Sequence, residues 1–190
     1  MLLRDNERNA PITNDTLRAQ VMRSITGWLD STSLAQRPQA QTDLNAAAHV
    51  FSADYQQLKQ DVGIMGGCWE IDIKGDTVCS NSDFLTVGLE TYAYTGGAHP
   101  NTYRTLLSFD RHTGQPLHLT DFVSDTTGLL PMVEQAFRDK QGVRSDQSLE
   151  DEGYFLRDGR FFLPENVAAG RDGLIFYYNP YEIAAYALGP

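Results

Sequence analysis

Basic residues, cysteines and long apolar runs are all scarce in this chain, and each scarcity excludes something. Only 15 Lys and Arg stand against 25 Asp and Glu, for a net charge of −10. Nucleic-acid binders need a basic face, and an anionic membrane surface repels an acidic chain, so neither is an expected partner. The same charge favours solubility and speeds encounter with a cationic partner. No stretch approaches the ~20 apolar residues that cross a bilayer, so no membrane span is expected. No leader-type sequence opens the chain either, since Met1-Leu2-Leu3 runs at once into Arg4-Asp5. If the parent protein is exported, this is a mature or trimmed form.

The 2 cysteines, Cys68 and Cys79, fit no zinc spacing. An even count suits an oxidising compartment. A tight turn at Lys74-Gly75-Asp76 would place the two on a hairpin where a bridge is open to them, although a simple register sets Cys68 opposite Ser82. A single long strand over residues 69–79 would separate them by about 36 Å at ~3.3 Å per residue and forbid a bond. Both alternatives stand on the sequence. Gly66-Gly67 and Gly96-Gly97 are not a dinucleotide fingerprint, and no phosphate loop occurs.

What is present begins with two helical patterns. Leu17, Val21, Ile25 and Leu29 recur every fourth residue from Thr13 to Asp30, with Thr13 or Asn14 as cap. Residues 31–41 read as a polar connection. A second helix runs from Thr42 to Gln60 with Leu44, Ala48, Phe51, Tyr55 and Leu58 on one face, ended by Gly63, Gly66 and Gly67. Trp69, Ile71 and Ile73 alternate with Glu70 and Asp72 as a strand with one buried face. Strands follow at Leu85–Tyr94, Tyr103–Asp110 and Leu117–Leu119. Thr120-Asp121 caps a short turn, and Asp125 or Thr126 caps a helix through Lys140. Residues 141–152 read as a mobile acidic loop. Phe155–Phe162 is a hairpin around Asp158-Gly159, and Leu174–Asn179 is the last strand. Paired strands without regular strand–helix alternation predict an α+β fold, an antiparallel or mixed sheet with helices packed mainly on one face.

The most informative run is Tyr92-Ala93-Tyr94-Thr95-Gly96-Gly97-Ala98-His99-Pro100. It ends one strand, turns on two glycines, and enters the next. Antiparallel pairing of Tyr92–Gly97 with Asn101–Phe109 is expected, with Gly96 or Gly97 at positive φ. Tyr92 and Tyr94 share a face, whereas Tyr177 and Tyr178 cannot. His99 would need a nucleophile and an orienting acid to act as a base; Thr95, Thr102 and Glu90 are the local options, and no hydrolase motif surrounds them. A structural imidazole is the expectation. His49, His112 and His118 match no metal spacing, and no metal or cofactor is expected. Glu150, Asp151 and Glu152 are a solvated acidic cluster rather than a glycosidase pair.

Three stretches, "YTGGAHPNTY", "FDRHTGQPLHLTDF" and "GLIFYYNPYEIAAYALGP", occur in an order that closely resembles the RsiV-type extracytoplasmic domain of unknown function. That domain forms the outer part of the anti-sigma factor RsiV, and also occurs beside peptidoglycan deacetylase domains and in envelope lipoproteins. The resemblance covers residues 11 to 190, more weakly before Trp69. It implies a single domain over 1–190, mainly helical over 1–62 and motif-bearing over 63–190. It further implies a periplasmic or extracytoplasmic setting, with a lipid anchor in some full-length forms, and no catalytic constellation. In that family a further strand follows the terminal Gly-Pro, so an open sheet edge is expected here. RsiV itself is a receptor for lysozyme. The expected function is non-catalytic binding of a basic, lysozyme-like protein. The rivals are a peptidoglycan-binding accessory module and a hydrolase. The expected contact residues are Tyr92, Tyr94, Gly96, Gly97, His99, Tyr103, Glu150, Asp151 and Glu152, on or beside the Arg111–Gln115 and Gly142–Gly153 loops.

Overall fold

The computed structural model describes residues 2–4, 9–63 and 67–186. Helices α1 (Ala10–Thr26), α2 (Ser31–Gln36) and α3 (Leu44–Val62) lead into strands β1 (Glu70–Ser80), β2 (Phe84–Tyr94), β3 (Asn101–Asp110) and β4 (Pro116–Leu117). Helices α4 (Leu119–Phe122) and α5 (Leu129–Gln141) and strands β5 (Val167–Ala169) and β6 (Leu174–Phe176) complete the order. The first four strands form one antiparallel sheet in the order β1-β2-β3-β4, and β5 pairs antiparallel with β6. The α+β expectation therefore holds. Two compact units divide the chain: Met1–Asp76 with Leu89–Arg104 and Arg111–Gln115, and Thr77–Gly88 with Thr105–Asp110 and Pro116–Pro190.

In the first unit α1 starts earlier than its apolar stripe suggests. Asn9, at φ 63, precedes it without a side-chain cap, and Pro11 sits in the first turn, where its missing N–H costs nothing. Thr13 and Asn14 are not caps but buried helical residues. Asn14 accepts from Leu3 N–H at 2.8 Å and donates to Leu3 C=O at 3.0 Å, so its amide holds the incoming chain. Thr13 donates to the Gly114 carbonyl at 3.2 Å, and Asn9 donates to the His112 carbonyl. Gly114 has φ 77, and a β-carbon there would lie 2.8 Å from Asn9 Cβ. This turn requires glycine twice over, for dihedral and for space.

The polar stretch 31–41 is more ordered than expected. The Asp30 carboxylate accepts from Thr32 and Ser33 N–H, which caps α2, and Pro38–Gln41 adds a 3₁₀ turn. Asp43 caps α3 by accepting from Ala46 N–H at 2.6 Å. The buried positions of α3 are Ala47 and Val50, which join Leu29 and Ala40 in a small core, with Phe51 against it. Leu44 and Leu58 of the expected stripe are 56% and 42% exposed. The face turned to the core carries Ala47 and Val50, against which Met22 and Ile25 of α1 and Leu34 pack. Gly63 closes α3 at φ 77, while Gly66 lies outside the described residues.

β1 is one strand of 11 residues with no turn at Gly75. Cys68, two residues before it, and Cys79, near its far end, are both free. The long-strand alternative is the one realised.

The second unit is built around aromatic rings. Phe137 on α5 meets Tyr154 at 5.0 Å edge-on, Phe161 at 5.4 Å and Tyr178 at 5.5 Å between ring centroids. Val133, Val143, Leu149, Ile183 and Ala184 complete this core. Gly128 stands at the N-terminus of α5 without a side-chain cap; Asp125 instead accepts from Thr127 N–H within the preceding turn. At the other end Gly142, at φ 71, and Val143, whose N–H reaches the Arg138 carbonyl at 2.9 Å, make a Schellman-type close. The segment after it is not a loose loop, because Val143 and Leu149 are 8% and 2% exposed in the core. Arg138 also donates to the Arg144 and Gln147 carbonyls.

The expected Leu117–Leu119 strand is shorter, since His118 caps α4 and the Asp121 carboxylate accepts from His118 N–H at 2.7 Å. Asp158 at φ 51 and Gly159 at φ 69 form the expected turn, but only an isolated Arg157–Arg160 bridge closes it and no strand flanks it, so the hairpin over Phe155–Phe162 is not formed. The last strand stops at Phe176, and its partner β5 was not evident in the sequence. The expected open edge after Asn179 involves residues 187–190, which lie outside the described residues.

Tyr178 is 6% exposed and donates to the Phe162 carbonyl at 2.6 Å. Burial first, and the Glu182 charge second, hold its phenol well above the ordinary value, against a smaller lowering by Arg157. A phenol whose folded pKa is raised contributes stability below its unfolded pKa of ~10, and that stability is lost as pH rises beyond it. Tyr178→Phe should be weaker by about 1 kcal/mol at pH 8, from the lost hydrogen bond. Between pH 9 and 11 it should lose less stability than the parent in urea unfolding. Equal losses would show that Tyr178 does not carry the alkaline dependence.

Candidate binding surface

The glycine corner is built as the alternation implies. β2 and β3 are sheet neighbours, and Gly96 and Gly97 have φ 94 and 99. Both glycines take the region that side chains avoid. Within the first unit Leu89, Thr91 and Ala93 of β2 are buried, which leaves Tyr92 and Tyr94 together on the other, half-buried face. Tyr94 bends over the corner and donates to the Gly97 carbonyl at 3.3 Å. A β-carbon on Gly67 would touch Tyr94 Cε1 at 3.6 Å, and one on Gly96 would touch Trp69 Nε1 at 3.7 Å. The segment before β1 and the corner after β2 therefore lie side by side.

Trp69 connects this pair to α3. Its ring lies 5.5 Å from Phe51 and 5.8 Å from Tyr55, both tilted by 48°. Tyr55 O–H contacts Cys68 Sγ at 3.8 Å, which raises the phenol's pKa, chiefly through that hydrogen bond. Phe51, Tyr55, Trp69 and Tyr94 make a half-buried aromatic shelf bordered by the exposed backbone of Gly97 and Ala98. Sequence reading placed Trp69 on a strand and Tyr55 on a helix stripe without joining them to the corner. The signal available was Gly67-Cys68-Trp69, small residues directly before a tryptophan.

The other expected residues are placed differently. Tyr103 faces α1: it stacks on Trp28 at 6.3 Å and donates to the Ser24 carbonyl at 3.3 Å. His99 is exposed, with Nδ1 2.8 Å from the Pro100 carbonyl, a contact that needs Nδ1 protonated to donate. The Arg111–Gln115 turn is tied to Asn9 and Thr13. Glu150, Asp151 and Glu152 are exposed and belong to the second unit, whereas the corner belongs to the first. Glu152 accepts from the Gln147 amide at 2.8 Å. Among the described residues no cluster of three His, Cys, Asp or Glu could hold a metal ion. No helix there is long and apolar enough to cross a membrane.

Residues 121–190 match the model of the family described as "Protein of unknown function (DUF3298)". Comparison with curated proteins gives no match. A solved DUF3298 family member from Bacteroides fragilis is similar at 25% identity and TM-score 0.65, covering 94% of this chain and 72% of that one. A DUF3298 family protein from Pseudomonas aeruginosa shares the fold at 20% identity and TM-score 0.54, covering 72% of this chain and 62% of that one. These comparisons carry the resemblance seen in the sequence as far as a DUF3298 domain.

Proposed function

We propose that this chain, DUF3298-like over residues 121–190, is a non-catalytic binding domain of the bacterial envelope that recognises a basic protein, with a lysozyme-like muramidase the first partner to test. The observation that supports it is the aromatic shelf. Tyr55, Trp69 and Tyr94, half-buried beside a Gly-Gly corner, offer broad apolar faces, hydroxyls and accessible backbone, the composition favoured at interface centres. The net charge of −10 supplies long-range attraction to a cationic partner. Glu150, Asp151 and Glu152 contribute to that field from their own unit.

Titrating hen-type lysozyme into the domain by calorimetry tests this. Saturable heat is expected at low salt, with affinity about tenfold weaker near 0.15 M salt, where charges beyond ~8 Å are screened. Tyr92→Ala and Tyr94→Ala should each weaken binding about tenfold, as truncation at an interface centre does. Replacing the three acids by Ala should flatten the salt slope. No heat at either salt would remove the lysozyme version. The same shelf suits stacking on a sugar ring, which keeps peptidoglycan as the second reading. Sedimentation with peptidoglycan that is indifferent to salt would favour it. Reducing ends released from peptidoglycan by the domain alone would overturn the non-catalytic reading.

A further inference from the structure

We propose that the second unit binds a fatty-acid-like carboxylate, with the acyl chain in the cavity between α5 and β6 and the head group on Lys140. The cavity has a volume of about 370 Å³, within the ~300–1,000 Å³ of small-molecule sites. It is a groove open to solvent on one side: Ala136 and Lys140 at its rim are exposed, and Val133, Tyr178, Ile183 and Ala184 are buried. Its walls are set by two periodicities. Val133, Ala136, Phe137 and Lys140 share one face of α5 at helical spacing, and Leu174 and Phe176 share one face of β6 at strand spacing.

The charges decide the ligand's polarity. Among the described residues the lining holds no carboxylate, and those near it in sequence keep their charge while bonded elsewhere. Glu134 pairs with Arg138 at 2.8 Å and Asp139 accepts from Gln135 at 2.8 Å. Glu152 accepts from Gln147 at 2.8 Å, and Glu182 from Asn179 N–H at 3.1 Å. Lys140 lines the cavity, is exposed, and forms no ion pair among the described residues. It is the one cation in the lining, so an apolar ligand gains there by carrying an anionic end. Glu152 and Glu182 act on Tyr154 and Tyr178 of the same lining, raising both phenols after the larger effect of burial. Their repulsion turns the carboxylate away from those tyrosines and toward Lys140.

The probe is dodecanoate, titrated below its micelle concentration into the full chain by calorimetry, with 1-dodecanol as the uncharged arm. One-to-one binding of dodecanoate is expected, tenfold or more tighter than dodecanol. Lys140→Met should weaken dodecanoate about tenfold and leave dodecanol within twofold. Ala136→Trp, which fills the cavity from an exposed helix position, should weaken both at least tenfold. If its urea midpoint shows that it does not fold, Ala136→Leu takes its place, with the same direction expected. Absence of saturable binding, or affinity unchanged by filling the cavity, overturns the site. Equal affinity of the parent and Lys140→Met for dodecanoate overturns the role of the head group. None of these readouts depends on the lysozyme titration, so either proposal can fail alone.

Discussion

Phe137→Ala should lower the unfolding free energy by about 3 kcal/mol, the lower part of the ~3–5 kcal/mol range for aromatic truncation in cores. The lower part applies because Phe137 is half-buried, not fully enclosed. Three rings, those of Tyr154, Phe161 and Tyr178, close on it within 5.5 Å. Removing the phenyl group leaves a hole beside an existing cavity, and edge-on contacts are lost together with buried area. Urea unfolding checks this, with Met132→Ala as control. Met132 is on the same helix and 70% exposed, so its loss should stay within about 0.5 kcal/mol. A Phe137→Ala effect no larger than that would mean the ring cluster does not hold the second unit together.

The second large effect concerns three buried polar groups. Thr86 O–H donates to the Ala169 carbonyl at 2.7 Å. Ala169 N–H donates to Ser108 Oγ at 2.9 Å, and the two hydroxyls are 2.8 Å apart. Since the Thr86 proton is committed to Ala169, the Ser108 proton must point to Thr86, which fixes every direction in the closed set. Thr86 is 0% and Ser108 2% exposed, and neither is replaced by water at that burial. The set ties β5 to the sheet in place of a backbone ladder. Thr86→Val keeps the shape and removes the oxygen, so that the Ala169 carbonyl loses its donor and the Ser108 hydroxyl its acceptor. Each orphaned buried group costs about 1–3 kcal/mol, and a total of about 2–4 kcal/mol is expected. Ser108→Ala should cost a similar amount, and the double variant less than the sum, because the groups act as one network. Strict additivity in urea unfolding would sink the network reading.

Local chemistry was legible in the sequence. The two glycines at 96 and 97, the Asp158-Gly159 turn and the β2–β3 pairing follow from dihedral limits and alternation, which neighbours a few residues apart decide. The α+β class followed from the spacing of these elements. Caps were less legible: Thr13, Asn14, Thr126 and Asp125 are good capping types, but the first two were drawn into tertiary contacts with Leu3 and Gly114. On α3 the buried Ala47 and Val50 stand one residue before Ala48 and Phe51 of the expected stripe, a turn of about 100° round the helix, and only the packing partners choose between such faces. The aromatic shelf needed Tyr55, Trp69 and Tyr94 to converge from three elements, and β5 needed Ser108 and Thr86 from two others. Such pairings depend on chain reversals far apart in sequence, where loop closure and packing set the outcome and no local preference records it.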